Sequence, residues 1–72
     1  MKKVLKLKDL ECAHCAAKME EAISRLNGVQ SVRVNFMTQK MTLEADDLRF
    51  DQIVEEAARV IRKIEPDCTI LR

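Results

Sequence analysis

The apolar residues of this chain keep two rhythms, and the order in which the rhythms follow one another leaves few folds open. Residues 3–8 read K-V-L-K-L-K, with Leu5 and Leu7 on one side and Lys6 and Lys8 on the other, the two-residue repeat of a half-buried strand. From Ala16 the repeat lengthens: Ala16, Met19, Ile23 and Leu26 share one stripe while Lys18, Glu20, Glu21 and Arg25 fall elsewhere, as in an amphipathic helix. Asn27-Gly28 ends this helix, with Gly28 at the left-handed position after the last turn. The short rhythm returns over residues 29–36, V-Q-S-V-R-V-N-F, and again in M-T-L-E-A at 41–45. The Met37-Thr38-Gln39-Lys40 connection between them makes this pair a hairpin. Phe50, Ile53, Val54, Ala57, Val60, Ile61 and Ile64 then carry the strongest helical stripe of the chain. Glu65-Pro66 stops it, because a residue before proline avoids the α region. Residues 67–71, D-C-T-I-L, form a short last strand.

The order is β-α-β-β-α-β. Right-handed crossovers and one shared core lead to an α+β sandwich of the ferredoxin-like kind, a four-stranded antiparallel sheet with both helices on one face. With 72 residues the chain is one domain, residues 1–72. A domain of this size buries only about 60% of the surface its unfolded chain exposes, so its core is thin and no deep catalytic cleft is expected. The topology brings the end of the first strand, the 37–40 turn and the Glu65-Pro66 connection to one end of the sheet. Cys68, early in the last strand, is expected there too.

Charge narrows the partners. Thirteen Lys and Arg face twelve Asp and Glu, and this balance argues against a nucleic-acid or anionic-membrane surface. The chain has no Trp or Tyr on which bases would stack. It has no run of about 18 apolar residues to span a bilayer, and Met1-Lys2-Lys3 leads into a strand pattern rather than a signal peptide. Three cysteines, two of them close together, make a poor disulfide framework and suit a reducing, cytoplasmic setting, where a CxxC pair binds metal or exchanges electrons.

That pair lies in residues 9–15, D-L-E-C-A-H-C. Cys12 falls in the loop after the first strand and Cys15 in the first turn of the helix, so both sulfurs can turn toward one point. The helix start offers unpaired N–H groups and the positive end of a dipole, which favour thiolate. No Ser, Thr or Asp stands at the expected cap, and a thiolate can take that role. Two thiolates alone suit Cu(I). Zn(II) takes four ligands drawn from Cys, His or carboxylate. Glu11, next to Cys12, is a candidate oxygen donor, and Cys68 a candidate third sulfur; either favours a divalent ion. His14 and Met37 read more simply as exposed residues, and Met19 and Met41 as core.

The whole chain resembles the heavy-metal-associated domain family, the small modules of soft-metal P-type ATPases and metallochaperones. The likeness rests on the β-α-β-β-α-β order, the CxxC after the first strand, A-A-K-M-E-E-A-I in the helix, L-N-G-V at its end and V-R-V-N-F beyond. The resemblance implies that Cys12 and Cys15 bind the metal, that the domain does no catalysis, and that it passes metal on by thiolate exchange. The chain departs from the usual Gly-Met-x-Cys-x-x-Cys at Asp9 and Leu10. It has Glu65-Pro66 where copper-handling members usually carry Gly-Tyr or Gly-Phe. Exporters of zinc, cadmium and lead often place an acidic residue before the first cysteine, as Glu11 stands here. The resemblance therefore points to the N-terminal domain of a Zn(II)/Cd(II)/Pb(II)-transporting ATPase, with a Cu(I) chaperone or copper-ATPase domain as the alternative. Its expected partners are the metal ion and other metal-binding domains or the membrane part of a transporter, and metal can bridge two copies.

Two further readings of CxxC compete. A thioredoxin-like oxidoreductase also sets the motif between strand and helix, but it is usually longer and carries a proline facing the motif; here Pro66 is the lone proline. A structural zinc site would need four ligands, for which Cys12, Cys15, Cys68 and Glu11 just suffice, yet this fold needs no metal to close.

Overall fold

The computed structural model describes residues 1–71. Strand β1 runs Lys2–Lys8, helix α1 Ala13–Ser24, β2 Val29–Asn35, β3 Lys40–Ala45, helix α2 Phe50–Ile64 and β4 Thr69–Leu71. The sheet order is β2-β3-β1-β4 and every pairing is antiparallel. This is the ferredoxin-like arrangement. Leu5 opposes Met41 across β1 and β3, and Val34 opposes Met41 from β2, so alternate residues of three strands meet on one face. There Leu5, Leu7, Val32, Met41 and Leu43 are buried in one cluster with Met19 and Ile23 of α1 and Ile53, Ala57 and Ile61 of α2. Both helices thus lie on the same side of the sheet. Burying each such Leu, Ile or Met side chain contributes about 1.5–3 kcal/mol. Among the described residues no polar or charged residue is buried.

Element ends depart from the periodic reading in four places. Helix α1 stops at Ser24, with Arg25 as its cap, rather than running to Gly28. Its tail tightens into three-residue bonds, Arg25 N–H to the Ala22 carbonyl at 3.2 Å and Leu26 N–H to the Ile23 carbonyl at 3.0 Å. Leu26 still packs on the core from outside the helix. Gly28 has φ 91° and serves the turn into β2, where a Cβ would stand 2.9 Å from Ile53 Cδ1. Strand β2 ends at Asn35, with Phe36 beyond it, and a register shift falls between Val29 and Ser31. A 3₁₀ turn, Asp47–Arg49, precedes α2, capped by the Asp46 carboxylate accepting from Leu48 N–H at 3.3 Å. The periodic reading has no counterpart for it, since three residues carry no period.

The last strand is shorter than expected and begins at Thr69, so Cys68 precedes it. Glu65 caps α2 in an extended conformation, φ −140°, as a residue before proline requires. Cys68 N–H then donates to the Glu65 carbonyl at 3.0 Å, closing a four-residue turn with Pro66 at its second position, where proline is favoured. This turn takes Cys68 fully into the core.

Candidate metal centre

Strand β1 delivers the chain to the motif through two residues with opposite duties. Asp9 has φ 62°, the left-handed region that Asp tolerates better than most side chains. The aspartate thus makes a sharp turn at the position where the usual family pattern has glycine. Leu10 is buried and anchors the loop on the core.

The loop is also tied to the hairpin. Gln39, itself at φ 56° in the β2–β3 connection, accepts from Leu10 N–H at 2.9 Å and donates to the Leu10 carbonyl at 2.7 Å. Its amide nitrogen donates as well to the Phe36 carbonyl, at 2.9 Å. One side-chain amide thereby satisfies both backbone groups of the residue two before Cys12. The periodic reading placed Gln39 only in a turn; the polar residue at a hairpin tip beside the motif was the available signal.

Cys12 has an extended backbone, φ −129° and ψ 117°, and is the N-cap of α1. Its Sγ accepts from Cys15 N–H at 3.2 Å, and its carbonyl accepts from Ala16 N–H at 3.0 Å. The expected sulfur cap is present. The two thiols also share a hydrogen bond, and it splits their acidities. The Cys15 thiol and N–H, donating to Cys12, hold the Cys12 thiol below its ordinary value, with His14 N–H helping. The same bond raises Cys15, with burial, the Cys12 charge and the Glu65 charge adding to it. Both cysteines are half-buried, so each sulfur is held by the fold and still reachable.

The other candidates are placed differently. Glu11 is exposed, and what it contributes is its backbone N–H, which donates to Glu65 Oε1 at 3.2 Å. His14 is exposed on the first turn of α1. Met37 is exposed at the hairpin tip. Burial pushes the Cys68 thiol up to about 11, with the charges of Glu65, Asp9 and Cys15 adding, so it lies near the motif as expected but as a neutral core residue. Among the described residues, no three His, Cys, Asp or Glu side chains are gathered closely enough to hold a metal ion. The pair Cys12–Cys15 therefore stands without a third donor already in place. Chemically it is a two-sulfur site with one thiol primed to ionise, open to an incoming ligand at the tip of the domain.

Known proteins are similar to this chain in sequence and in fold. Residues 4–67 match the family described as heavy-metal-associated domain. The copper chaperone CopZ of Enterococcus hirae is 36% identical over 47 residues, which cover 65% of this chain and 68% of the chaperone. The zinc/cadmium/lead-transporting P-type ATPase of Shigella sonnei is 38% identical over 60 residues, 79% of this chain but 8% of the ATPase. This chain thus spans a small part of that transporter and about two thirds of the chaperone. The fold superposes on a solved CopZ metallochaperone with a TM-score of 0.73 at 20% identity, covering 99% of this chain and 100% of that one. No helix among the described residues is long and apolar enough to cross a membrane.

Proposed function

Because the chain belongs to the heavy-metal-associated domain family, we propose that it is a non-catalytic carrier module that binds one soft heavy-metal ion on Cys12 and Cys15 and hands it on. The observation that carries this is the sulfur cap. Cys12 Sγ sits where α1 presents free N–H groups and accepts one of them, so the first thiolate forms at low cost and stays exposed enough to ligate. Once an ion arrives, its charge favours loss of the second proton from Cys15. Release follows the same chemistry in reverse, as a partner's thiolate displaces one sulfur at a time.

The metal we favour is divalent, Zn(II), Cd(II) or Pb(II), in the setting of a P-type ATPase's N-terminal domain facing the cytoplasm. The likeness to a zinc/cadmium/lead-transporting ATPase supports it. So do the carboxylates bordering the pair: Glu11 remains a candidate oxygen donor beside Cys12, while Cys68 enters as core. Partners in this setting are other metal-binding domains or the transporter's membrane part, and two copies can meet across one ion with four sulfurs. A Cu(I) chaperone is the second reading, favoured by the share of the Enterococcus chaperone that this chain spans.

The test is a competition titration of Zn(II), Cd(II) and Cu(I) on reduced protein without oxygen. The Cys12→Ser, Cys15→Ser double variant is expected to lose stoichiometric binding of all three while keeping its far-UV dichroism. Tight binding retained by that variant would overturn the proposal.

A further inference from the structure

The near-balance of charge that speaks against an anionic surface is a sum over the whole chain, and the fold divides it. On the sheet face turned away from both helices the strands place Lys2, Lys6, Lys8, Arg33 and Lys40, with Glu44 as the one carboxylate they put there. All five cations are exposed, and none makes an ion pair among the described residues. Five cations against one carboxylate leave this face at a formal +4. The other described residues, seven Lys and Arg against eleven Asp and Glu, stand at −4. Lys6 also lies directly opposite Lys40, and like charges so placed destabilise a sheet. Folding gains nothing from that pairing, whereas an anionic surface laid against it relieves it.

The make-up of the face decides which anion suits it. Four of the five cations are Lys, compact and strongly hydrated charges on flexible stems, rather than the Arg forks that grip single carboxylates or phosphates. The strands bring no aromatic side chain to it, the residue type that anchors tight protein docking and on which bases stack. Val4 and Leu71 stand between the charges, 56% and 48% exposed. Lysines spread around short aliphatic side chains match a partner that is itself extended and diffusely negative, with an apolar layer beneath. We infer that this sheet face is a peripheral docking surface for an anionic lipid bilayer, held by its five cations without insertion of any segment. The excess of carboxylates elsewhere is repelled by the same bilayer, so the domain lies sheet-down with its helices outward. Lys8 closes β1 just before the loop of Cys12, and this pose sets the CxxC end at the rim of the contact. The pose uses none of the motif's chemistry and holds with or without metal.

The deciding experiment is co-sedimentation of the full reduced chain with phosphatidylcholine vesicles, with and without phosphatidylglycerol, at low and at physiological ionic strength. A Lys or Arg near an anionic bilayer is worth about a fivefold gain in partitioning, and the attraction fades over about 8 Å at ~0.15 M salt. Binding is expected to phosphatidylglycerol vesicles alone, weakening as salt rises. Lys6→Gln, Lys8→Gln and Lys40→Gln together should cut it about a hundredfold. Lys18→Gln, Arg62→Gln and Lys63→Gln, exposed on the helices, remove the same net charge and should leave binding within a few-fold of the parent. Lys40→Glu keeps loss of binding apart from loss of fold. It sets an opposite charge across from Lys6, so it should unfold at a higher denaturant concentration than the parent while binding vesicles more weakly. No binding by the parent, equal binding to neutral vesicles, or equal loss from the two triple variants would overturn the inference. So would tighter binding of the same face to poly-glutamate, which would make the partner an acidic protein, or to duplex DNA. The Cys12→Ser, Cys15→Ser variant should bind vesicles as the parent does, while its metal titration judges the carrier reading separately. Vesicle binding lost with the cysteines would give the lipid contact to the motif and take it from the sheet.

Discussion

Cys12, Cys15 and Cys68 are one residue type in three states, and their surroundings alone make the difference. Cys12 receives an N–H and a thiol from Cys15, so its negative form is solvated by the protein. Cys15 gives those donors away and meets the Cys12 and Glu65 charges, so it ionises later. Cys68 is wholly buried and ionises only near about 11. Thiol reactivity follows the thiolate fraction and access. With iodoacetamide at neutral pH, peptide mapping by mass spectrometry should therefore find Cys12 modified first, Cys15 more slowly, and Cys68 untouched until the chain unfolds. The pH at which Cys12 reaches half its limiting rate should fall below 9.0, the ordinary thiol value, and that of Cys15 above it. Reaction of Cys68 ahead of Cys15 in folded protein would contradict the buried placement. Linkage gives the same ordering in stability. The Cys68 pKa is raised on folding, so its neutral thiol costs nothing at low pH, and stability declines as pH climbs from the unfolded value through the folded one.

At the scale of elements, the loop is positioned by what flanks it, and Gln39 is the tie. Through one amide, two hydrogen bonds join the β2–β3 connection to Leu10 and a third closes the connection on its own Phe36. Gln39→Gly removes them without strain, since Gln39 already sits at positive φ. With part of the bonding energy offset by relief of the left-handed backbone, the net loss should be about 1–3 kcal/mol in denaturant unfolding. Because the whole loop loosens, Zn(II) and Cu(I) affinities should fall together by a few-fold. A variant as stable as the parent would mean that the loop is held by Leu10 alone. Strands and helices were legible in the sequence because burial of one face imposes a period, and Leu5, Met41, Ile53 and Ile61 all fall where the periods put them. What carried no period was not. Gly28 read as a helix end, although Arg25 had already closed α1 and the glycine belongs to the next turn. Glu65 read only as the residue before a proline. Its placement at the CxxC end followed from the topology, but its carboxylate's approach to the Glu11 N–H is a tertiary contact across 54 positions. The CxxC pair was legible because both cysteines lie in one short stretch, and the sulfur cap because no other capping residue was present.

Across the whole molecule, the CxxC end and the core are separable. The buried cluster is built from apolar side chains and Cys68, drawn from every strand except β4 and from both helices. The ladders between β2, β3, β1 and β4 are made by backbone groups. The loop itself is closed by Leu10, Gln39 and the Cys12 cap, which are all protein groups. A domain organised in this way should fold without metal and be stabilised by it only through mass action. Chelator on the reduced chain should therefore leave far-UV dichroism and a single cooperative unfolding transition intact. Adding the preferred ion at about 100 times its dissociation constant should stabilise the native state by about 2.7 kcal/mol. For a domain of this size that is a rise in Tm of roughly 10–20 °C. The rise should grow with the logarithm of free metal and vanish in the Cys12→Ser, Cys15→Ser variant. Calorimetric scans at stepped free-metal concentrations read all of this at once. Loss of secondary structure with chelator would make the ion a structural part of the fold, because a metal that organises a domain takes the folded state with it when it leaves. Retention of structure together with the logarithmic rise would place the ion where a carrier needs it, bound tightly enough to be taken up and released without unmaking the protein that carries it.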